Sequence, residues 1–470
     1  MNIIIILFFL KISFCEIIKI PLGILNLKNT SENKSLIHEL FFSKPYLNIT
    51  IGTPSQIIPL LFLKDSFSLF IHENNFNKNK SSTFNSSREA IPYFLDIYST
   101  GYPSKDIINF GNYHGNKYLD FVLSVFYDNY YGCIGMKIPR ENKDELPSFS
   151  AILKENKIIK ENIWTVKISN FNNKNFGLEE LIIGGYPHEY ETNKKKFDEK
   201  YYKYEDVPIH NYKFYWDIKI KCIYMLLSDS KEKIYITNNN QRENEVSLKY
   251  ENFLIYGTDE YHKLIFKNFF DKYNYIKNNI CIEKKIPQKN FWNYIECIND
   301  NNLFNISNFP SIYFESIEFD KIFELKKEDL FILDKENNKY IFLIIFATNY
   351  VETVWGLGIP FLSKYQFIFD EDKRLIGYYN SPENDDENNN QEKKGKIEFN
   401  KLVGILILLI VILIALSFFL IFKLLNIKQR RKRANELDDG YDYENKLSIN
   451  NESNNSGEEN DNNINHNNLK

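Results

Sequence analysis

The sequence predicts an all-β protein. Short stretches in which apolar and polar residues alternate are separated by turn-forming residues, which is the pattern of strands. Helical periodicity is confined to the short segments 149–158 and 260–273. Hydrophobic residues make up 43% of the 470 residues, enough to fill real cores. The clearest strand-like stretches are 46–51, 57–62, 119–126, 213–224, 253–256 and 340–346.

The amino terminus carries an apolar run, residues 3–10, followed by small residues near Cys15. This pattern predicts a secretory signal peptide over residues 1–15, although no Lys or Arg precedes the run. The alternative is an uncleaved anchor, but the run is too short to span a bilayer.

Residues 402–422 are apolar and uncharged, and about 20 such residues span a bilayer. Basic residues at 428–433 follow, which predicts that the carboxyl tail is cytosolic. The basic cluster also fits a nuclear signal or a lipid-binding patch, but a stop-transfer flank explains it more simply. We expect a single-pass type I membrane protein of the secretory pathway, held by one C-terminal helix at the cell surface or in endolysosomes. Its ectodomain would be lumenal or extracellular.

Composition and motifs exclude several function classes. The net charge of −4 gives no sign of a nucleic-acid partner. No CxxC or HExxH spacing indicates a metal site, and no motif indicates a cofactor. The sequence therefore predicts no cofactor and no metal.

The stretch 51–71 reads IGTPSQIIPLLFLKDSFSLFI. It resembles the first active-site segment of pepsin-like aspartic peptidases, in which I-G-T-P-x-Q is followed by an apolar strand, D-T-G-S and L-W-V. Seven further segments resemble motifs of that family, in its order and with its spacing, which makes the joint signal specific. They are KSSTF (80–84), YSTG (98–101), YGCIGM (131–136), IWTVKIS (163–169), LIIGG (181–185), YWDI (215–218) and WGLGIPFL (355–362).

The resemblance implies a bilobal fold with a cleft between two lobes, at residues 45–200 and 201–381. Residues 16–44 precede the lobes and contain an I-P-L sequence similar to the start of the family's pro-segment, or they form a retained first strand. A polar juxtamembrane stalk is predicted at 382–401, the transmembrane helix at 402–422 and a disordered cytosolic tail at 423–470.

Both catalytic positions of the family are altered. Aligned without gaps, its two aspartates fall on Leu63 and Tyr256. Lys64 then replaces the first hydroxyl residue and Asp65 replaces the glycine. The family's chemistry needs two carboxylates that share one proton, and neither Leu63 nor Tyr256 supplies one. The resemblance therefore implies a pseudopeptidase.

Two nearby acids are weak substitutes for the missing pair. Asp65 lies two positions after Leu63, and Asp259 lies three positions after Tyr256. The ungapped match on both sides of Asp65 argues against a shift there, whereas the register around Asp259 is looser. Tyr98 matches the family's flap tyrosine, which closes over a substrate; the alternative is an ordinary strand tyrosine.

The remaining cysteines follow from the resemblance and from the compartment. A lumenal protein can form disulfides, and the family's carboxyl-lobe disulfide falls on Cys281 and Cys297. Cys133 and Cys222 replace apolar residues of strands and are expected to be buried free thiols. Asparagine sequons fit a glycosylated ectodomain, and Asn48 is the least favoured because it lies within a predicted strand. The favoured glycosylation candidates are Asn29, Asn33, Asn79, Asn85 and Asn305.

The leading hypothesis is an inactive, membrane-anchored homologue of aspartic peptidases that binds a peptide or protein partner in its cleft. Strand-lined clefts can hold an extended peptide by main-chain pairing without any catalysis. One alternative is an active aspartic endopeptidase with a divergent dyad. The other is a structural surface protein without a ligand.

Overall fold

The protein is described from a computed structural model. The described residues are 17–27, 35–66, 68–87, 89, 91–95, 97–125, 132–139, 146–169, 171, 177–210, 213–236, 245–347 and 354–381. The predicted signal peptide, stalk, membrane span and tail, together with Asn29 and Asn33, lie outside them. Among these described ranges, no helix is long and apolar enough to cross a membrane.

Helices are few and short, as the sequence predicts for an all-β protein. In chain order they are α1 (Leu36–Phe42), α2 (Phe149–Glu155), α3 (Pro187–Tyr190), α4 (Asp259–Ile265), α5 (Lys327–Leu330) and α6 (Ile359–Leu362). A π-helical turn, Phe266–Phe270, continues α4. Single 3-10 turns lie at Lys78–Lys80, Glu199–Tyr201 and Ile306–Asn308.

Strands account for most of the regular structure. Those of the first part are β1 (Ile18–Pro21), β2 (Gly23–Asn26), β3 (Ser43–Ile51), β4 (Gln56–Leu63), β5 (Leu69–His72), β6 (Asn85–Ser86), β7 (Ile91–Leu95), β8 (Ile97–Phe110), β9 (Tyr118–Val125), β10 (Cys133–Gly135), β11 (Ile163–Ile168) and β12 (Leu178–Ile183). Those of the middle are β13 (Tyr202–Asp206), β14 (Ile209–His210), β15 (Lys213–Phe214), β16 (Asp217–Lys219), β17 (Cys222–Leu226), β18 (Lys233–Ile236), β19 (Glu245–Leu248), β20 (Ile255–Tyr256), β21 (Cys281–Ile286) and β22 (Lys289–Ile298). The last are β23 (Ser311–Ser316), β24 (Lys321–Leu325), β25 (Phe331–Asp334), β26 (Lys339–Phe342), β27 (Ile344–Ala347), β28 (Trp355–Leu357), β29 (Phe367–Asp370) and β30 (Leu375–Tyr379).

Two nine-stranded sheets are built from separate parts of the chain. The first has the order β2-β3-β4-β10-β5-β9-β8-β6, with β7 paired to β8. The second has the order β16-β19-β28-β20-β27-β22-β26-β25, with β21 paired to β22. Every strand of the first sheet precedes every strand of the second.

A six-stranded sheet contains strands from both parts of the chain, in the order β1-β12-β11-β29-β30-β13. Its edge strand β1 pairs with β12 in antiparallel register, so Ile20 and Pro21 of the I-P-L sequence lie in a strand here. A four-stranded sheet, β18-β17-β23-β24, and the β14–β15 pair complete the described sheets.

The alternating pattern of the sequence explains the local structure of β3. Leu47, Ile49 and Ile51 are buried while Asn48 between them is exposed. This two-residue periodicity places one face of the strand on the core. Pairing with β4 runs from Tyr46 opposite Leu61 to Ile51 opposite Gln56.

An aromatic cluster forms the centre of the core, where the sheets meet. Trp164 of β11 stacks on Phe369 of β29, with ring centroids 4.0 Å apart. Phe62 of the first nine-stranded sheet lies edge-on to Trp164, and Trp216 and Tyr250 from the second part of the chain contact it as well. Edge-to-face packing of this kind adds to the stabilisation that burial of apolar area provides.

Several predicted element boundaries were wrong. The single strand predicted at 213–224 is divided into β15, β16 and β17. The first break, at 215–216, contains Trp216, which is buried and donates its Nε1–H to the Met136 carbonyl, and the second break lies at 220–221. The stretch 340–346 forms two strands, β26 and β27, because the Leu343 N–H donates to the Leu330 carbonyl between them. Helix α2 ends before residue 158, since Lys157 adopts a positive φ of 55°.

The cysteine predictions were mostly confirmed. Cys281 and Cys297 form a disulfide between the paired strands β21 and β22, with Cα atoms 4.0 Å apart. Cys133 is a buried free thiol. For Cys222 the prediction of burial was wrong: the thiol is free but half-buried, because it begins β17 with its Sγ 3.4 Å from Glu315 Oε2. The described sequon residues Asn79, Asn85 and Asn305 are all exposed.

Candidate functional site

Leu63, predicted from the resemblance to replace the first catalytic aspartate, is the last residue of β4. It pairs in parallel with Gly135 of β10. Its half-buried side chain packs against a small apolar cluster that includes Leu61, Phe70 and Cys133. An aliphatic side chain in apolar surroundings can neither bind a proton nor hold a water molecule by hydrogen bonds.

Tyr256 ends β20 and lies between β27 and β28. Its ring packs edge-on to Trp292 with a centroid distance of 4.8 Å. A Cβ at the facing residue Gly356 would lie 3.1 Å from the Tyr256 Cβ, so the glycine makes room for the ring. The tyrosine is therefore a packed part of the sheet.

The two residues after Tyr256 lead into helix α4. A Cβ at Gly257 would lie 2.6 Å from Ile344 Cγ2, so no larger residue fits there without movement. Thr258 is the N-cap of α4, and its Oγ1 accepts from the Tyr261 N–H at 3.3 Å. Asp259 is the first residue of the helix, where a negative charge is favourable.

Asp65 lies in the turn after β4, and both oxygens of its carboxylate accept hydrogen bonds from lysines. Lys64 Nζ donates to Oδ1 at 2.6 Å, and Lys249 Nζ donates to Oδ2 at 3.0 Å. The Lys64 side chain is fully buried and has a second acid, Asp217 Oδ1, at 4.0 Å. Charge-assisted bonds of this kind are the stronger class of hydrogen bond.

We call Lys64, Asp65, Asp217, Lys249 and Glu251 the Asp65 ion-pair cluster. Glu251 joins it through Lys249 Nζ, 3.9 Å from its Oε1. Lys44 of β3 extends the cluster, because its Nζ donates to the Glu251 carbonyl and to Asn252 Oδ1. With Lys44 included, three lysines face three acids, so the formal charges balance.

The cluster connects the two nine-stranded sheets. Lys64 and Asp65 follow β4 of the first sheet, whereas Asp217 lies in β16 of the second and Lys249 directly follows β19. Ion pairs between them therefore join segments that are more than 150 residues apart in sequence. Glu251 and its partner Lys44 repeat this connection.

The electrostatics of the cluster hold Asp65 in its charged form. Burial would raise the pKa of the Asp65 carboxyl, but the ammonium groups of Lys64 and Lys249 outweigh that effect and hold its pKa well below the usual range. Burial likewise lowers the pKa of Lys249, and Asp65 and Glu251 more than compensate, so its pKa lies above normal. For Lys44, burial dominates and lowers the pKa.

The two substitute acids therefore have different partners. Asp65 is held between two lysines, and Asp259 begins a helix. Within the described ranges, no hydrogen bond joins the two carboxylates. A proton-sharing pair needs two carboxyls at hydrogen-bond distance whose pKa values are driven apart by like charge. The partners of Asp65 are of opposite charge and have the reverse effect.

The predicted flap residue Tyr98 lies in β8, opposite Phe94 of β7. Leu95 pairs with Ile97 in this hairpin, so Tyr98 is the second residue of β8. The side chain of Tyr98 lies outside the described residues, and its role as a flap tyrosine stays a prediction.

Sequence reasoning missed Lys44, Asp217, Lys249 and Glu251, and treated Lys64 only as the replacement of a hydroxyl residue. The available signal was a lysine within an apolar stretch: Lys64 follows PLLFL, and Lys249 separates Leu248 from Tyr250. A lysine in such a position must find an acid when the stretch is buried. Metal binding finds no support in the described part of the chain, which contains no group of three or more His, Cys, Asp or Glu residues suited to it.

Comparison with known proteins gives a distant relationship. No protein-family model matches the chain. Two renins from Echis ocellatus are similar to it, at 26% and 25% identity over 160 residues. The similar region covers 30% of this chain and 40% of each renin, so the chain spans less than half the length of these relatives. Renin is an aspartic peptidase, and the chain is distantly similar to that class of protein.

Proposed function

We propose that the protein is a membrane-anchored, two-lobed homologue of aspartic peptidases that has lost catalysis and holds a peptide or protein partner in the cleft between its lobes. The main support for the proposed loss of catalysis is that both carboxylate oxygens of Asp65 are paired with lysines, Lys64 and Lys249. A carboxyl whose pKa is held this low is a weak base toward water and has no proton to donate to a scissile carbonyl. The residues at the family's own positions, Leu63 and Tyr256, contribute no carboxylate.

The two-lobed architecture is supported by the distribution of the sheets. Each nine-stranded sheet is formed by one part of the chain, and the six-stranded sheet combines strands of both. In this proposal the Asp65 ion-pair cluster joins the lobes beneath the cleft. It lies at the position where active aspartic peptidases hold the catalytic water molecule. Peptide binding by main-chain pairing needs no acid at that position.

Anchoring is proposed from residues 1–15 and 402–422 together. The disulfide between Cys281 and Cys297 supports an oxidising compartment, because such bonds are rare in reducing ones. A type I protein with a lumenal or extracellular ectodomain at the cell surface or in endolysosomes fits these features. Exposed sequons at Asn79, Asn85 and Asn305 are then candidates for glycosylation.

The test is a cleavage and binding assay on the full-length chain in mild detergent. The chain is incubated at pH 4 to 7 with a randomised decapeptide library, and mass spectrometry records both products and retained peptides. We expect no cleavage that a transition-state analogue of aspartic peptidases blocks, and retention of a subset of peptides. The Asp65→Asn and Asp259→Asn variants should give the same cleavage record as the parent.

Each alternative has its own outcome in this assay. Analogue-sensitive cleavage that is lost in both the Asp65→Asn and the Asp259→Asn variants would replace the proposal with an active peptidase. If peptides are neither cleaved nor retained, the structural surface protein becomes the better description.

A further inference from the structure

Five consecutive charged residues, 370–374, mark the turn from β29 to β30. Asp370 has a cation, because Lys373 Nζ lies 3.2 Å from its Oδ2. Asp372 has another, Lys154 Nζ at 2.5 Å. Glu371 lies between these two pairs, and within the described residues its carboxyl contacts serine hydroxyls and no cation. The three acids of one turn are therefore in different electrostatic situations.

Glu371 is buried, with 8% of its surface exposed. Its Oε2 accepts hydrogen bonds from Ser148 Oγ at 2.6 Å and from Ser150 Oγ at 3.0 Å. Ser148 is also the N-cap of α2, and the Glu371 N–H donates to the Asn162 carbonyl before β11. The Glu371 carboxyl thus connects the β29–β30 turn to α2, and the Glu371 backbone N–H connects the turn to the residue before β11. The remaining nearby acid of that region, Glu161, is paired with Lys160 at 3.4 Å.

A second buried acid lies on the other side of the same hairpin. Glu205 of β13 faces Ile376 of β30 in the sheet and is 3% exposed. Its Oε1 accepts from the Lys219 N–H at 2.8 Å, whereas its Oε2 has no hydrogen-bond partner in the described part of the protein. The other charges that act on it are two acids, Glu245 and Glu318, and the exposed Lys219 side chain.

We propose that Glu205 and Glu371 form an acid-dependent lock on the β29–β30 hairpin: each carboxyl takes up a proton when the protein folds, so the hairpin is held most firmly at acidic pH and is loosened as the pH rises past neutrality. A buried carboxyl without a cation is far less costly in its neutral form. The proposal concerns the stability of the fold and does not depend on whether the cleft binds peptides.

The direction of the pH effect follows from the two environments. Burial raises the pKa of Glu371 to about 7, an effect that the serine hydrogen bonds only partly offset. Burial raises the pKa of Glu205 to about 8, against the lowering effect of the Lys219 N–H and charge. Both values exceed the usual 4.5, so the folded state binds more protons than the unfolded state. The stabilisation is therefore complete below about pH 4.5 and is lost as the pH rises through 7 and 8.

The lock lies where the charge of its two carboxyls can affect the packing of the six-stranded sheet. The hairpin contributes two of the six strands of the sheet that combines both parts of the chain. Its strand β29 carries Phe369, which stacks on Trp164 in the aromatic core. An ionised carboxylate on either side of β30 would weaken the packing of this sheet.

Thermal unfolding of the full-length chain between pH 4.5 and 8.5 tests the lock, with the fluorescence of the buried tryptophans as the readout. For the parent chain we expect Tm to rise by roughly 3–8 °C from pH 8.5 to pH 5. The Glu205→Gln and Glu371→Gln variants mimic the neutral acids, so each should have a higher Tm than the parent at pH 8.5 and a smaller rise on acidification. Exposed Glu336 offers a matched control, and Glu336→Gln should keep the parent's pH dependence.

Comparing each variant with the parent at every pH isolates the contribution of the two glutamates from that of all other groups. The proposal is overturned if both glutamine variants keep the parent's pH dependence, since the protons are then bound elsewhere. It is equally overturned if both variants lower Tm by the same amount at every pH, because the carboxyls would then be serving as ionised partners.

Discussion

Replacing Asp65 with asparagine should weaken the fold and leave any peptide cleavage unchanged. Asp65 supplies both hydrogen bonds that neutralise Lys64 and Lys249. Lys64 is fully buried, so after the substitution its ammonium keeps only Asp217, 4.0 Å away, as a charged partner. An active-site acid behaves in the opposite manner, because its removal abolishes turnover and often stabilises the protein.

The size of the effect can be estimated from these contacts. Removing one partner of a buried ion pair costs about 3–5 kcal/mol, because the other charge is left uncompensated. Two features reduce that figure here: the Asp65 side chain is 40% exposed, and Lys249, at 28%, can regain water. Asp217 also retains an attraction to Lys64 of up to about 4 kcal/mol at an effective dielectric constant near 20. We therefore expect a loss of ~2–3 kcal/mol for Asp65→Asn.

Urea unfolding of the full-length chain in detergent, followed by tryptophan fluorescence, measures this loss. The transition midpoint should fall while the slope stays constant, as expected when stability changes without a change in exposed surface. Asp259→Asn is the matched control, since the same chemical change is made at a helix start that is free of a lysine partner in the described contacts. The Lys64→Met/Asp65→Leu double variant should recover most of the lost stability, because apolar replacement of a buried pair is often neutral or favourable.

Two results would contradict a structural role for the Asp65 ion pairs. If the free energy of unfolding of the Asp65→Asn variant is within about 0.5 kcal/mol of the parent's, the ion pairs of Asp65 do not stabilise the fold. Ordinary surface substitutions change stability by that amount. If the variant is instead more stable than the parent and loses analogue-sensitive cleavage, Asp65 belongs to an active site.

Two further predictions concern the second part of the chain. Asp259→Asn should cost only about 0.3–1 kcal/mol, the range for a charge at a helix start, because the Thr258 cap remains; urea unfolding checks this. The Cys281→Ser/Cys297→Ser variant should lose about 3 kcal/mol in the chain-entropy account of a loop with a sequence separation of 16, measured against the parent with and without reductant. A reductant that lowers the stability of the serine variant as much as that of the parent would show that another bond is responsible.

The sequence was sufficient for the fold class because strand periodicity and turn residues are local signals. The alternation of Leu47, Asn48 and Ile49 predicts β3 directly, and the structure has that strand. The first break in 213–224 contains Trp216, which donates a hydrogen bond to Met136, 80 residues away, and no local pattern reveals that contact. The same holds for the Leu343–Leu330 contact that separates β26 from β27.

The candidate site was predictable to a smaller extent. A linear alignment predicts that Leu63 and Tyr256 replace the two aspartates, because it compares residues at fixed positions. It cannot show that Lys64 meets Asp217 or that Asp65 meets Lys249, since those pairs form only when two distant parts of the chain pack together. A buried lysine in the sequence predicts that an acid is needed but not which one.

The same packing predicts that placing aspartates at residues 63 and 256 will not produce catalysis. In aspartic peptidases each aspartate is followed by a hydroxyl residue that orients it. Here the residue after Leu63 is Lys64, whose buried ammonium is already bound by Asp65. The residue after Tyr256 is Gly257, where Ile344 occupies the space that a side chain would need.

We therefore expect the Leu63→Asp/Tyr256→Asp variant to show no analogue-sensitive cleavage of the decapeptide library at pH 4 to 7. Adding Lys64→Thr and Asp65→Gly repairs only the first triplet, so activity should still be absent while stability falls through the loss of the ion pairs. Cleavage by the double variant would contradict this, because it would mean that two carboxylates alone separate this protein from an enzyme. With the expected result, the surrounding packing and charge prevent catalysis as much as the lack of carboxylates at residues 63 and 256 does.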